Sequence, residues 1–417
     1  MKILVVHNRY RSSSPGGEDR VVDQEHEALI EAGHQVWRLE RSNDEIGAFS
    51  VARKAAIPAG IVWSRRSSLD LDAALRAHQP DVVHLHNLFP LFSPSVLWAC
   101  GRRRVPCVVT LHNYQQACVR GDLYRDGAIC RACVGRPMPV AAVRHGCYHG
   151  SAVATVPLAL SSVVHRRAWR TVPAAYLFVS EAQRRELAPL HFPGWRCFVK
   201  ANLTLPAAPR ARRRRLIVYL GRLTEAKGLP VLVRAWDRYA RTATGPRLRL
   251  AIAGSGPLDA HLRTWARDRP SVDMLGLLGR DECADLVRRA AAVVAPSEWP
   301  EPFGLVVIEA MAAGVAPVTT RRGAFPDIIR DGIDGLLYPP GDDAALTEVL
   351  RRLDRSPELV SALGDAALAT YRQRFTPARI VGELEDVYRF AALHPTTPTG
   401  LGPIPRSSLL PAHEEVG

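Results

Sequence analysis

Two pairs of charged residues stand where they could do chemistry. Arg222 and Lys227 lie five positions apart between Gly221 and Gly228, after an apolar run and before an amphipathic stretch that starts at Leu229. A guanidinium fork beside a compact ammonium suits the oxygens of a diphosphate. Further on, Glu301 and Glu309 flank Pro302, Phe303, Gly304 and Leu305. Pro302 and Gly304 mark a helix start, where free backbone N–H groups and the positive dipole end hold an anion such as a phosphate. At the helical rise the two glutamates stand up to ~12 Å apart. They therefore cannot share one group, but can hold two hydroxyl-bearing parts on either side of the phosphates. Glu309 sits among Val307, Ile308, Ala310 and Met311, where an unpaired carboxylate is costly. Between these pairs, the loop from Gly254 to Pro257 permits close backbone approach.

The first half offers a second set. Gly16 and Gly17 precede Glu18 and Asp19, acidic residues suited to a helix's first turn, and a glycine pair at that place can cradle a phosphate or a sugar. His112 and Asn113 end an apolar run, so they face a cleft rather than a core. Of the nearby histidines, His84 reads as a satisfied core residue and His86 as part of an acceptor pocket.

These groups need a scaffold. Apolar runs of four to six residues, rich in Val, Ile and Leu, recur along both halves, from Ile3–Val6 to Cys197–Lys200 and from Leu216–Leu220 to Leu336–Tyr338. They do not alternate, which suits strands buried on both faces of a parallel sheet, and helical patterns between them make right-handed crossovers the natural connection. The expected class is α/β: two Rossmann-like, doubly wound parallel-sheet domains facing across a cleft, residues 1–205 and 216–376. Residues 206–215, with two prolines and an arginine run, read as a linker. Residues 377–393 read as a last helix returning to the first domain, and 394–417 as a disordered tail.

Order and spacing together carry a resemblance. Arg222 and Lys227, then Glu301, Pro302, Phe303, Gly304 and Glu309, then the segments Gly314–Val318 and Gly323–Asp327 resemble the retaining glycosyltransferases of family 4, in which Glu is usual where Asp327 stands. The resemblance spans about residues 1 to 393 and implies the two-domain GT-B fold. It implies that Arg222 and Lys227 bind the donor diphosphate, that Glu309 accepts the ribose hydroxyls, and that Glu301 with the amides of Phe303, Gly304 and Leu305 grips the sugar and its phosphate. It places Gly16 and Gly17 near donor and acceptor, and His112 against the donor sugar. The implied reaction moves a sugar from a nucleotide diphosphate to a glycan or lipid-linked acceptor in cell-surface polysaccharide assembly, with no cofactor required for catalysis. A sugar-nucleotide epimerase or a phosphorylase on the same fold is the alternative chemistry.

The 417 residues carry 55 Lys plus Arg against 41 Asp plus Glu, a net charge of +14. Such an excess suits an anionic partner. The arginine runs Arg102–Arg104, expected in a turn, and Arg212–Arg215, in the linker, lack interleaved aromatics, which argues against nucleic acid, and a zinc-containing nucleic-acid binder would leave Glu301 and Glu309 without a task. Arginines of the first domain suit an anionic membrane surface instead. Asp70 and Asp72 read as a helix start rather than a metal–nucleotide site. Cys118, Cys130, Cys133 and Cys147 fit either a structural zinc site or free thiols, since they contain one Cys-x-x-Cys knuckle where two would be decisive. The other four cysteines read as small core residues. The start shows no signal-peptide core and no run reaches bilayer length, so the expected location is the cytoplasm, at the inner membrane face.

Overall fold

The computed structural model describes residues 1–12, 16–208, 214–241 and 247–395. The arginines at 210, 212 and 213, and the tail from 396, lie outside the described residues. Two six-stranded parallel sheets form the frame. The first contains β1 (Lys2–Arg9), β2 (Gln35–Ser42), β3 (Val82–Leu85), β4 (Cys107–Leu111), β7 (Ala175–Phe178) and β8 (Cys197–Val199), in the order β2-β1-β3-β4-β7-β8. Between β4 and β7 a small antiparallel hairpin, β5 (Tyr124–Arg125) with β6 (Ala128–Ile129), was not legible in the sequence. The second sheet contains β9 (Leu216–Leu220), β10 (Arg249–Ala253), β11 (Val272–Gly276), β12 (Ala292–Ala295), β13 (Ala316–Thr320) and β14 (Leu336–Tyr338), in the order β11-β10-β9-β12-β13-β14. Strands such as β3, β4, β7 and β12 are buried at every position, as helices on both faces require.

The carboxyl edge of each sheet faces the other sheet's domain. The last helix, Pro377–Leu393, packs back on the first sheet, with Ile380, Leu384, Tyr388 and Ala391 buried among Ile3, Val5, Val108 and Leu177. Direct hydrogen bonds join the halves. The Ser180 hydroxyl donates to the carbonyl of Pro302 at 2.6 Å, and Ala182 N–H donates to Asp327 at 2.7 Å. Asp327 thus caps a first-domain helix, Glu181–Leu187, from the second domain.

Three local expectations need correction. Asp70 and Asp72 lie inside the helix Arg65–His78, not at its start, because Ser64 caps it; Asp72 pairs with Arg76 and Arg103. Arg102 and Arg103 belong to the last turn of the helix Ser95–Arg103, where basic residues oppose the dipole, rather than to a turn. Cys100 and Cys107 are buried, but Cys197 and Cys283 are only half-buried.

Candidate active site in the interdomain cleft

Each charged pair is placed by a strand-to-helix turn. After β9 the chain turns through Arg222 to Lys227, and the helix Leu229–Ala240 follows. Gly254, just past β10, has φ +140°, and a Cβ there would lie 1.9 Å from the Gly221 carbonyl oxygen. Only glycine lets these two loops touch, so the Arg222 loop is seated by its neighbour. Arg222 is exposed and has no acidic partner among the described residues. Its charge reaches Tyr10 on the opposite domain, partly offsetting the burial that pushes the Tyr10 phenol well above its usual value.

Lys227 Nζ donates to Glu301 at 2.5 Å and stands 5.0 Å from the centre of the Trp299 ring. Glu301 is 6% exposed and also accepts from the Ser297 hydroxyl at 2.7 Å. Three positions on, Gly304 caps the helix Leu305–Ala312 with φ +96°, and a Cβ there would lie 2.5 Å from the Phe325 ring. Among the described residues the amides of Phe303, Gly304 and Leu305 find no acceptor, as a helix start offering its N–H groups to an anion should. Glu309 lies in that helix and forms an ion pair with Arg20 of the first domain.

The first domain meets this surface directly. Gly16 caps the helix Gly17–Glu31, and a Cβ on Gly17 would stand 3.1 Å from Leu305 Cδ1. The glycine pair therefore lies against the start of the Glu309 helix. Behind it a cavity of about 20 Å³ is lined by Glu18, His86, Asn87, Thr110, His112 and Asn113, with Trp169 at one side. His86 Nδ1 and His112 Nε2 are 2.8 Å apart and their rings stack. Desolvation pushes both imidazoles well below their ordinary value, so they are neutral near pH 7 and one donates to the other. His84 is satisfied in the core by Tyr388 and Thr110, each at 2.7 Å.

The geometry brings Arg222, Lys227, Glu301, Glu309, Gly254 and the amides of Phe303 to Leu305 onto one wall. Gly16, Gly17, His86 and His112 form the other. Sequence reasoning gave Glu18 only a helix-dipole role. Its carboxyl accepts from Asn113 Nδ2 at 2.7 Å and from Tyr10 at 3.2 Å, and burial raises its pKa. Its place one residue after the glycine pair was the available signal. Arg20 was missed because nothing in the sequence sets it against Glu309.

The segment described as glycosyl transferases group 1 matches residues 205–369, and that described as glycosyltransferase family 4 matches residues 15–132. The chain belongs to the group 1, family 4 glycosyltransferases. The transferase is 28% identical to the glycogen synthase of Mycobacterium tuberculosis over 92% of its own length and 91% of that protein. It is 33% identical to a D-inositol 3-phosphate glycosyltransferase of Saccharomonospora viridis, a match covering 48% of the chain and about half, 47%, of that relative. Among solved structures, Anabaena HepE in complex with UDP superposes with a TM-score of 0.63 at 16% identity, covering 93% of the transferase and all of HepE. Sucrose-phosphate synthase of Thermosynechococcus elongatus gives 0.67 at 17% identity, over 93% and 98% of the two chains. These likenesses are those of the GT-B fold.

Cys118, Cys130, Cys133 and Cys147 line one further cavity of about 20 Å³, together with His145. Burial raises the thiols of Cys118, Cys133 and Cys147, and at Cys118 the neighbouring amides of Leu123, Gly121 and Arg120 offset this only in part. The described residues whose ligand atoms lie within 4.8 Å of one another are instead Glu25, His84 and His86. Both ring nitrogens of His84 are engaged and Glu25 is ion-paired with Lys200, so this trio is a buried polar network. No helix among the described residues is long and apolar enough to cross a membrane.

Proposed function

We propose that this glycosyltransferase transfers a sugar from a nucleotide-diphosphate donor to a glycan or lipid-linked acceptor with retention of anomeric configuration, in cell-surface polysaccharide assembly. The observation that carries the reading is one wall presenting Arg222, Lys227 and three free helix-start amides, opposite His112. A diphosphate against that wall meets two cations and the positive end of a helix, and Glu309 stands farther along the same helix for the ribose hydroxyls. As the sugar–phosphate bond breaks, negative charge grows on the departing phosphate, and pre-placed donors stabilise that charge without rearranging. Neutral His112 can donate a hydrogen bond to the sugar from the other wall. The acceptor hydroxyl attacks on the same face that the phosphate leaves, and the phosphate takes its proton. Every charge needed is supplied by side chains and amides, so we assign no cofactor to the chemical step. UDP- and UDP-glucose complexes of HepE favour a donor of that class. Binding of UDP-, GDP- and ADP-sugars, followed by donor hydrolysis and product anomer analysis, tests the reading. An inverted product or no binding of any donor overturns it.

Two further readings accompany it. The helix Ala152–Val164 has no charged residue and leaves Val153, Val156, Leu160 and Val164 exposed along one stripe, followed by the basic Arg166 and Arg167. An apolar stripe with adjacent arginines supports peripheral contact with an anionic membrane at the cytoplasmic face. The cavity that the four cysteines share supports a structural zinc held by Cys118, Cys130, Cys133 and Cys147.

A further inference from the structure

Next to the cavity of His86 and His112 lies a larger one of about 90 Å³, and Phe89, Gln115, Gln116 and Trp169 line both. Its far walls are apolar, with Leu158, Leu190 and Phe192, yet two of its buried polar atoms have no partner. Ser161 is 1% exposed and its hydroxyl has no partner; the buried Gln116 side-chain oxygen has none either. Buried polar atoms without partners are rare in folded proteins, and two of this chain's border this one space. Arg166 is half-buried in the same wall and has no acidic partner among the described residues. Arg136 at the mouth is likewise free of any carboxylate.

An unpaired guanidinium in an aromatic pocket lacks an anion. We infer that this cavity is the acceptor's second foothold and binds a phosphate carried on an apolar group. Arg166 and Arg136 hold the phosphate, Ser161 and Gln116 complete its hydrogen bonds, and the apolar walls take the attached group. The reacting hydroxyl then extends past Trp169 toward His112. The inference rests on the transfer reading above and deepens it by naming the acceptor class. The same helix that supplies Leu158, Ser161 and Ser162 to the cavity carries the exposed Val153–Val164 stripe on its other side, so a lipid chain could pass from a membrane surface into the pocket.

Calorimetric titration of the full chain with farnesyl phosphate in mild detergent, glucose 1-phosphate, farnesol and galacturonate tests this, with UDP titrated separately. Saturable binding of farnesyl phosphate alone, or of farnesyl phosphate well above glucose 1-phosphate, supports a phosphate carried on an apolar group, and equal binding of the two overturns it. In either supporting case Arg166→Ala should weaken binding about 10-fold or more, Arg166→Lys should restore part of it, and UDP affinity should stay unchanged in both variants. Binding of neither phosphate, equal binding of farnesol, tighter binding of galacturonate, or an Arg166→Ala variant that binds as tightly as the parent overturns the proposal. Failure of UDP to bind the parent would instead strike the transfer reading itself.

Discussion

Lys227 and Glu301 form an ion pair at 2.5 Å, with the ammonium beside the Trp299 ring and the carboxylate nine-tenths buried. Spacing along the chain alone presents the two as separate tools, one for the diphosphate and the other for the sugar. Their contact shows that Glu301 also holds the Lys227 ammonium in place before any phosphate meets it, and fixed charge is what makes electrostatic stabilisation effective.

Lys227→Ala should therefore lower kcat by about 10²–10³-fold, with the thermal transition within a few degrees of the parent. Glu301→Gln should also reduce kcat, since it leaves the ammonium without its anchor. Steady-state kinetics beside circular dichroism check this, and full activity in Lys227→Ala would end the assignment of the diphosphate site.

Glu309 is ion-paired with Arg20 across the cleft, so a ribose that takes Glu309 must displace that pair. Glu309→Ala should weaken UDP binding by about 10-fold or more, the range for a hydrogen bond to a charged group. Arg20→Ala frees the carboxylate and should leave UDP affinity equal or tighter. Isothermal titration with UDP decides it; a loss in Arg20→Ala equal to that in Glu309→Ala would mean that Arg20 itself binds the nucleotide.

His84 and His86 are buried and their pKa values are pushed down. Between those lowered values and the ordinary value near 6.5, the unfolded chain binds protons that the folded chain does not. Stability is thus complete above about pH 6.5 and is lost as pH falls, by up to about 1.4 kcal/mol per group per pH unit. Melting curves from pH 7.5 to 5.5 should show this decline, and His84→Gln should lower the melting temperature at pH 7.5 yet flatten the slope. An unchanged slope would contradict the neutral, buried assignment.

Purified protein should hold about one zinc per chain if the cysteine cavity is a metal site, and Cys133→Ser should lose it. Less than a tenth of an equivalent in the parent rules the site out.

Vesicles containing anionic lipid should bind the chain more tightly than neutral vesicles, and Leu160→Asp should weaken that binding while leaving UDP affinity unaltered. Equal binding to both vesicle types would remove the membrane-contact reading.

The sequence by itself determined the twelve parallel strands, because unbroken Val, Ile and Leu runs separated by helical patterns have one good solution in burial. It also determined which residues gather at the sheet edges, since a strand-to-helix turn places Arg222, Lys227, Glu301 and His112 locally, within a few residues of the strand that aims them. The two-residue strands β5 and β6 escaped it, being too short for any periodicity to register. Only the tertiary structure decided the partners: Lys227 with Glu301, 74 residues apart, Arg20 with Glu309, 289 residues apart, and Asp327 capping a helix of the other domain. It alone also opened the cavity where Ser161 and Arg166 stand unpaired. Pairing across the cleft depends on how two independently formed domains meet, and spacing along the chain carries no information about that distance.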